Sequence, residues 1–254
     1  MNVDLDTNID STFVTFIIPT IGRYTLHHTI LSLINQTCTN WNAIIVFDGC
    51  KNNIDWEYIY KEQEKDEVKK GEKNGKNNIL KKITCYEIEK TSGIINQASD
   101  VRNFGIQKVE PSGQWIGFLD DDDTIHPHYV QYFLEENRKY DFDIYIYRMT
   151  MDNRIIPDRG CYDFTPGDVG ISFICKREVF DNIHFQNSHT EDFDFLAKAR
   201  EYNYKLVISE KIYYYVKQNS YQMENYPSDL PMYHKIFINC LNPMLFLEGL
   251  KELL

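Results

Sequence analysis

The sequence is short of cations, of paired cysteines and of long apolar runs, and each shortage removes a class of function. Lys and Arg number 27 against 38 Asp and Glu, a formal net charge of −11. Nucleic acid is excluded as a general partner, because phosphate contacts need clustered Lys and Arg. An anionic substrate would need a local basic group, a helix N-terminus or a metal ion. The six cysteines (Cys38, Cys50, Cys85, Cys161, Cys175, Cys240) contain no C-x-x-C pair. They offer neither zinc spacing nor a disulfide framework. No run of about 18 apolar residues is present to form a transmembrane segment. The opening residues MNVDLDTNID are acidic and polar, unlike a secretory signal. These shortages lead to the expectation of a soluble cytoplasmic protein with reduced thiols.

What is there suits a packed α/β protein. The 254 residues are 43% hydrophobic and 14% aromatic, enough to bury a large core. FVTFIIP (13–19) is a β-branched and aromatic run closed by proline, and reads as a buried strand. TLHHTILSLINQ (25–36) places Leu26, Ile30, Leu33 and Ile34 at helical spacing, and WNAIIVF (41–47) is a second strand ended by Asp48-Gly49. Strands of this continuous apolar type belong to parallel sheets covered on both faces. Residues 51–82 are dense in Lys, Glu and Asn and read as a solvated insertion, a loop or a frayed helix.

ITCYEI (83–88) is a third strand, and 95–109 a helix capped by Thr91-Ser92-Gly93. WIGFL (115–119) is a fourth strand, and His126-Pro127 opens a helix to about Tyr140. DIYIYRMTM (143–151) alternates as a fifth strand, and 171–175 is another short one. TEDFDFLAKAREY (190–202) is a helix with acidic residues at its positive end. A Tyr-rich strand covers 206–216, and terminal helices follow from about Leu230.

The chemistry concentrates in WIGFLDDDDT (115–124). Asp120, Asp121, Asp122 and Asp123 stand just past the carboxyl end of a strand, where open α/β sheets bind ligands. Four adjacent carboxylates repel and raise each other's pKa unless a cation sits among them. In extended chain alternate residues point the same way, so Asp120 and Asp122 are expected to converge. Two or three carboxylate oxygens suit a hard cation such as Mg²⁺ or Mn²⁺ beside substrate phosphates.

At this point the chain resembles a family 2 glycosyltransferase with the GT-A fold over roughly Val14 to Val216. TFIIPTIGR resembles the opening strand and P-T-x-x-R turn, with Pro19, Thr20 and Arg23 in place. LSLINQTCTNWNAIIVFDG matches the helix, Q-T element and second strand ending at Asp48. SDVRNFGI matches A-R-N-x-G-I, FLDDDD fits L-D-x-D-D, and TEDFDFLAKA fits the acidic helix start that carries the catalytic base.

The resemblance implies a Rossmann-like, mostly parallel sheet flanked by helices, in one domain over 1–254. A nucleotide-binding half covers about 12–124, a smaller acceptor-side half about 125–216, and a helical extension 217–254. It implies an inverting, metal-dependent transfer from a nucleotide-sugar, most simply UDP-linked, to a glycan, lipid-linked or protein hydroxyl. Asp48 would accept the N3–H of uracil and repel cytosine, whose N3 is an acceptor, although guanine could also satisfy it. Asp122 would hold Mn²⁺ or Mg²⁺ on the diphosphate, with Asp120 contacting ribose or supporting the metal and Asp121 beside them. Arg23 and Arg102 would lie near the nucleotide, or serve as ion-pairing arginines. Asp192 would be the general base, with Glu191 and Asp194 as neighbours able to claim that role. Helix-terminal N–H groups are expected to keep Asp192 ionised near neutral pH.

The chain departs from the family after its last strand. VKQNSYQM carries Gln218 and Asn219 where the family often has histidine. His184 and His189 are the nearest histidines and are expected on the acceptor side. Two other readings compete. DDDDT also fits the D-x-D-x-T of haloacid-dehalogenase phosphatases, but after the fourth strand instead of the first. A non-catalytic glycosyltransferase-like binding module would need a damaged site, yet Asp48, Asp120, Asp122 and Asp192 are all present. The partly amphipathic MYHKIFINCLNPMLFLEGLKELL suits packing on the domain or homodimerisation.

Overall fold

The computed structural model describes residues 12–70, 80–90, 98–111, 114–151 and 154–216. The expected cap at 91–93, the Gln218–Asn219 stretch, the terminal helices and any dimer contact through them lie outside these residues.

The first half is the β-α-β pattern that the apolar runs predict. Strand β1 (Val14–Thr20) is buried throughout, and helix α1 (Leu26–Ile34) leads to β2 (Trp41–Asp48). Helix α2 (Trp56–Lys70) occupies much of the charged insertion. Ile59 anchors its first turns in the core, with Trp56 and Tyr58 packed against it in part. A 3₁₀ turn at Leu80–Lys82 enters β3 (Ile83–Ile88). Helix α3 (Ala98–Gln107) precedes β4 (Trp115–Phe118). β3, β2, β1 and β4 lie side by side, all parallel. Their carboxyl ends, Thr20, Asp48 and the aspartate run, therefore share one edge of the sheet.

The second half is mixed. It contains β5 (Thr124–Ile125), α4 (Tyr129–Lys139), β6 (Ile144–Met151), β7 (Arg154–Ile156) and β8 (Phe173–Lys176). A 3₁₀ turn (Arg177–Asp181), α5 (Glu191–Glu201) and β9 (Leu206–Tyr215) complete it. The sheet continues from β4 through β8, β6 and β9 to β5, with β7 on β6. Here β4–β8, β6–β8, β6–β7 and β5–β9 are antiparallel and β6–β9 is parallel. So the parallel order holds for the first half and gives way beyond β4.

β4 and β5 are almost consecutive in sequence, yet three strands separate them along the sheet. Strands lie about 4.8 Å apart, so a flat sheet would hold β4 and β5 far apart. The tight turn between them, closed by Asp123 N–H donating to the Asp120 carbonyl (3.1 Å), requires the sheet to curl back on itself. That curl puts the aspartates at its mouth. It also buries β6 on both faces up to Thr150, where alternation alone implies one wet face.

Candidate active site

Two arginines answer the repulsion among the aspartates. Arg102 Nη2 donates to Asp120 Oδ1 at 2.6 Å, while Arg23 Nη1 reaches Asp121 Oδ1 at 3.0 Å and Asp122 Oδ2 at 3.1 Å. Thr20 Oγ1 donates to Asp121 Oδ2 at 2.6 Å and accepts from Gly22 N–H at 2.9 Å. Burial pushes the Asp121 carboxyl up, opposed by the Thr20 hydroxyl and Arg23. Thr29 Oγ1, from α1, donates to the Asp123 carbonyl at 2.8 Å, so the turn is braced from below. The Q-T element sets the other side: Gln36 Nε2 donates to the His126 carbonyl at 2.8 Å and Thr37 N–H to the Pro127 carbonyl at 2.9 Å.

Because the aspartates form a turn and not a strand, strict alternation does not apply to them. Asp122 is drawn to Arg23, and Asp120 faces Arg102 on another side. Among the described residues no group of three or more acidic, His or Cys side chains is placed to hold a metal by itself. Asp120 and Asp122 nevertheless keep 34% and 30% of their side-chain surface open. Mg²⁺ ordinarily takes one or two carboxylates plus substrate phosphates, without an all-protein cage. This hard-oxygen pair fits that manner of binding.

The R-N-x-G-I element is now explained residue by residue. Gly105 lets α3 lie against β1, since a Cβ there would sit 2.6 Å from Ile17 Cγ2. Asn103 Nδ2 donates to the Phe185 carbonyl at 2.9 Å and its Oδ1 accepts from Phe185 N–H at 3.1 Å. That pair pins the approach to α5. Arg102 is buried, with 3% of its side chain exposed. It is bonded to Glu191 through Nη1 and lies 3.9 Å from Asp192 Oδ1. Burial works against its charge, yet Asp120, Asp192 and Glu191 together raise its pKa.

The acidic start of α5 sorts itself by partner. Glu191 accepts from the Ser99 hydroxyl and from Arg102. Asp194 Oδ2 accepts from Ser188 Oγ at 2.5 Å and Thr190 Oγ1 at 3.1 Å, which closes the helix start. Asp192 Oδ1 is buried with no hydrogen-bond partner. Burial pushes the Asp192 carboxyl up to about 7; Arg102 opposes this and Asp120 and Glu191 add to it. Burial thus works against the expectation of a carboxylate kept ionised by the helix N–H groups.

A cleft of about 540 Å³ brings these groups together. Pro19, Thr20, Arg23, Asp48, Arg102, Asp120, Asp121 and Asp192 all line it, with Glu191 beside them. Asp122 stands outside the lining, and His184 and His189 are exposed on the segment before α5 without lining it. Asp48 is buried at the end of β2, and Gly49 turns the chain away at φ +66°. Ser99, Ala98 and the stapling role of Asn103 carry no sequence signal of their own.

The profile of glycosyl transferase family 2 matches residues 15–191. The chain belongs to this family. No curated protein matches the sequence. Among solved structures, a 1–349 fragment of S. aureus TarS superposes with a TM-score of 0.59 at 17% identity, covering 89% of this chain and 69% of that one. The same fragment in complex with UDP-GlcNAc gives 0.56 at 20% identity, covering 89% and 70%. The mannosyltransferase PcManGT from Pyrobaculum calidifontis, in complex with GDP-Man and Mn²⁺, gives 0.55 at 12% identity, covering 81% and 58%. The chain spans 42% of a longer TarS structure. The fold is that of GT-A glycosyltransferases, and membership of family 2 makes the protein a glycosyltransferase, which removes the phosphatase reading of D-x-D-x-T. No described helix is long and apolar enough to cross a membrane.

The Glu191-Asp192 pair invites a direct comparison of two variants. Glu191→Gln removes a charge bonded to Arg102 and Ser99, so it should lower stability by roughly 1.5–3 kcal/mol. Transfer per folded molecule should fall far less than in Asp192→Asn. Thermal unfolding alongside single-turnover assays would check both; a loss in Glu191→Gln larger than that in Asp192→Asn would make Glu191 the base.

Proposed function

We propose that the protein moves a sugar from a nucleoside-diphosphate sugar, UDP-linked by preference, to a hydroxyl acceptor with inversion, using Asp192 as general base. The observation that carries this reading is the Asp192 carboxyl, whose Oδ1 accepts no hydrogen bond, in the same cleft as Asp48 and the aspartate turn. A carboxyl with a pKa about 7 suits proton abstraction near neutral pH, because base strength and the ionised fraction are then both substantial. The UDP-GlcNAc and GDP-Man complexes of the structural neighbours support a nucleotide-sugar as the ligand class. The acceptor would be a glycan, a lipid-linked sugar or a protein hydroxyl.

In this reading Asp48, at the buried end of β2, accepts the N3–H of uracil. Arg23 holds Asp121 and Asp122 in the turn, so its role is to position carboxylates. Arg102 likewise acts through Asp120, Glu191 and Asp192. Asp122 and Asp120 would hold Mn²⁺ or Mg²⁺ together with the diphosphate, and the ion, when bound, offsets charge on the leaving group. Asp192, at the start of α5 and beside Arg102 of α3, takes the acceptor proton.

Calorimetric titration of UDP, GDP and CDP, with Mn²⁺ or with EDTA, tests the reading. UDP affinity should drop by roughly tenfold or more on chelation, about 1.4 kcal/mol, and CDP should bind poorly. Asp122→Asn should bind UDP equally with and without metal. Tight UDP binding indifferent to EDTA would overturn the metal assignment, and equal affinity for UDP and CDP would overturn the role of Asp48.

A further inference from the structure

The turn that carries the aspartates is tied down on both sides. Before it, Leu119 N–H donates to the Ile17 carbonyl of β1 at 3.2 Å. After it, β5 pairs antiparallel with β9, Thr124 opposite Tyr215 and Ile125 opposite Tyr214. His126 N–H then donates to the Tyr213 carbonyl at 2.9 Å. One side chain closes the span between these ties. Tyr214, wholly buried in β9, accepts from Asp120 N–H on its hydroxyl oxygen at 3.2 Å. The same hydroxyl donates to the Asp123 carboxylate. A phenol has one proton to give and lone pairs with which to accept. Here both uses fall on the turn, at its first and its last aspartate.

The tyrosines on either side are placed differently. Tyr213 stacks on His126 with ring centroids 4.0 Å apart, and Tyr215 packs with Ile212 and Ile155. Asp123 is itself buried, and a hydrogen bond to a carboxylate is stronger there than in water. Arg102 and Arg23 hold the carboxylates of Asp120, Asp121 and Asp122. Thr29 and Tyr214 hold the backbone that carries them, at the Asp123 carbonyl and the Asp120 N–H. Tyr214 does not line the cleft, so it acts on a ligand there only through the turn.

We propose that Tyr214 is a positioning residue for the metal carboxylates: its hydroxyl fixes both ends of the turn, so that Asp120 and Asp122 stand ready for an ion and a diphosphate. This rests on the reading of Asp120 and Asp122 as the residues that hold Mn²⁺ or Mg²⁺. Groups that orient a metal's ligands from behind carry about 10–100-fold of metal affinity. The effect of losing the hydroxyl should therefore appear in the demand for metal and not in recognition of the base at Asp48.

Calorimetric titration of UDP at a series of Mn²⁺ concentrations tests the inference. Tyr214→Phe keeps the ring and removes one oxygen. It should need roughly tenfold more Mn²⁺ for half-maximal enhancement of UDP affinity, while UDP affinity in EDTA stays at the parent value. Tyr147→Phe is the control. It loses a buried hydroxyl bond outside the turn, to the Tyr129 carbonyl at 2.7 Å, and should keep the parent midpoint even where it melts earlier. Asp123→Asn weakens the other end of the bridge and should shift the midpoint in the same direction as Tyr214→Phe. The midpoint belongs to the folded molecules, so a partly unfolded variant still reports it. Should Tyr214→Phe not fold, the midpoint of Asp123→Asn decides in its place. A parent midpoint in Tyr214→Phe, or an equal shift in Tyr147→Phe, would overturn the inference and leave the metal reading standing. A parent protein that binds UDP alike in Mn²⁺ and EDTA would sink the metal reading itself, and the inference with it.

Discussion

Asp192→Asn should bind donor as the parent does and transfer sugar roughly 10²-fold more slowly, or worse. The substitution keeps size and polarity and removes only the capacity to take a proton. In the parent, transfer should rise with pH through about 7 and level off above it, since only the ionised carboxylate accepts a proton and burial holds its pKa there. The variant should lose that rise. Stability should move the other way. An aspartate in an unfolded chain titrates near about 3.9, so the folded state holds the Asp192 proton more tightly over the window from about 4 to about 7. Stability contributed by this group is present below that window and is lost as pH rises through it. Asn has no charge to bury, so Asp192→Asn should melt at least as high as the parent at pH 8 and lose any such advantage near pH 5. Kinetics against pH, read beside thermal melts at both pH values, check the two halves. Near-normal transfer by the variant would move the base to Glu191 or Asp194.

The strands that build the first half were legible because β1, β2 and β4 are uninterrupted apolar runs, and their order with the intervening helices fixes a parallel edge. β5 and β7 were not, since two and three residues are too few to show a period. The cleft was legible as a set: Asp48, Asp120, Asp121 and Asp192 meet there as the motif order implies. What each carboxylate does was not. Asp120 and Asp122 pair with different arginines because a turn replaces the extended chain on which alternation depends. The distinction between Glu191 and Asp192 lies with Ser99 and Arg102, on a helix some 90 positions earlier, and adjacent acids look alike until that helix is in place.

Arg102→Met should have the largest effect on the folded protein itself. The guanidinium is buried and stands between Asp120, Glu191 and Asp192. Methionine fills similar volume but leaves the buried Glu191 carboxylate with only the Ser99 hydroxyl, and removes the cation that opposes the rise in the Asp192 pKa. Removing one partner of a buried ion pair costs about 3–5 kcal/mol, a large share of the ~5–15 kcal/mol that holds a domain together. The loss should depend on pH, because the unpaired groups are anions. Protonating them removes the penalty, so the gap between variant and parent should be widest above neutrality and narrow toward pH 5. Arg102→Lys should recover only part of the difference, since one ammonium cannot reproduce the fork that bonds Asp120 through one nitrogen and Glu191 through the other. Denaturant melts of the three proteins at pH 5 and pH 8 decide the matter. If Arg102→Met loses no more than about 1 kcal/mol at pH 8, on the scale of an exposed pair, then Arg102 does not hold the carboxylates together, and a role in contacting the nucleotide becomes the reading to test.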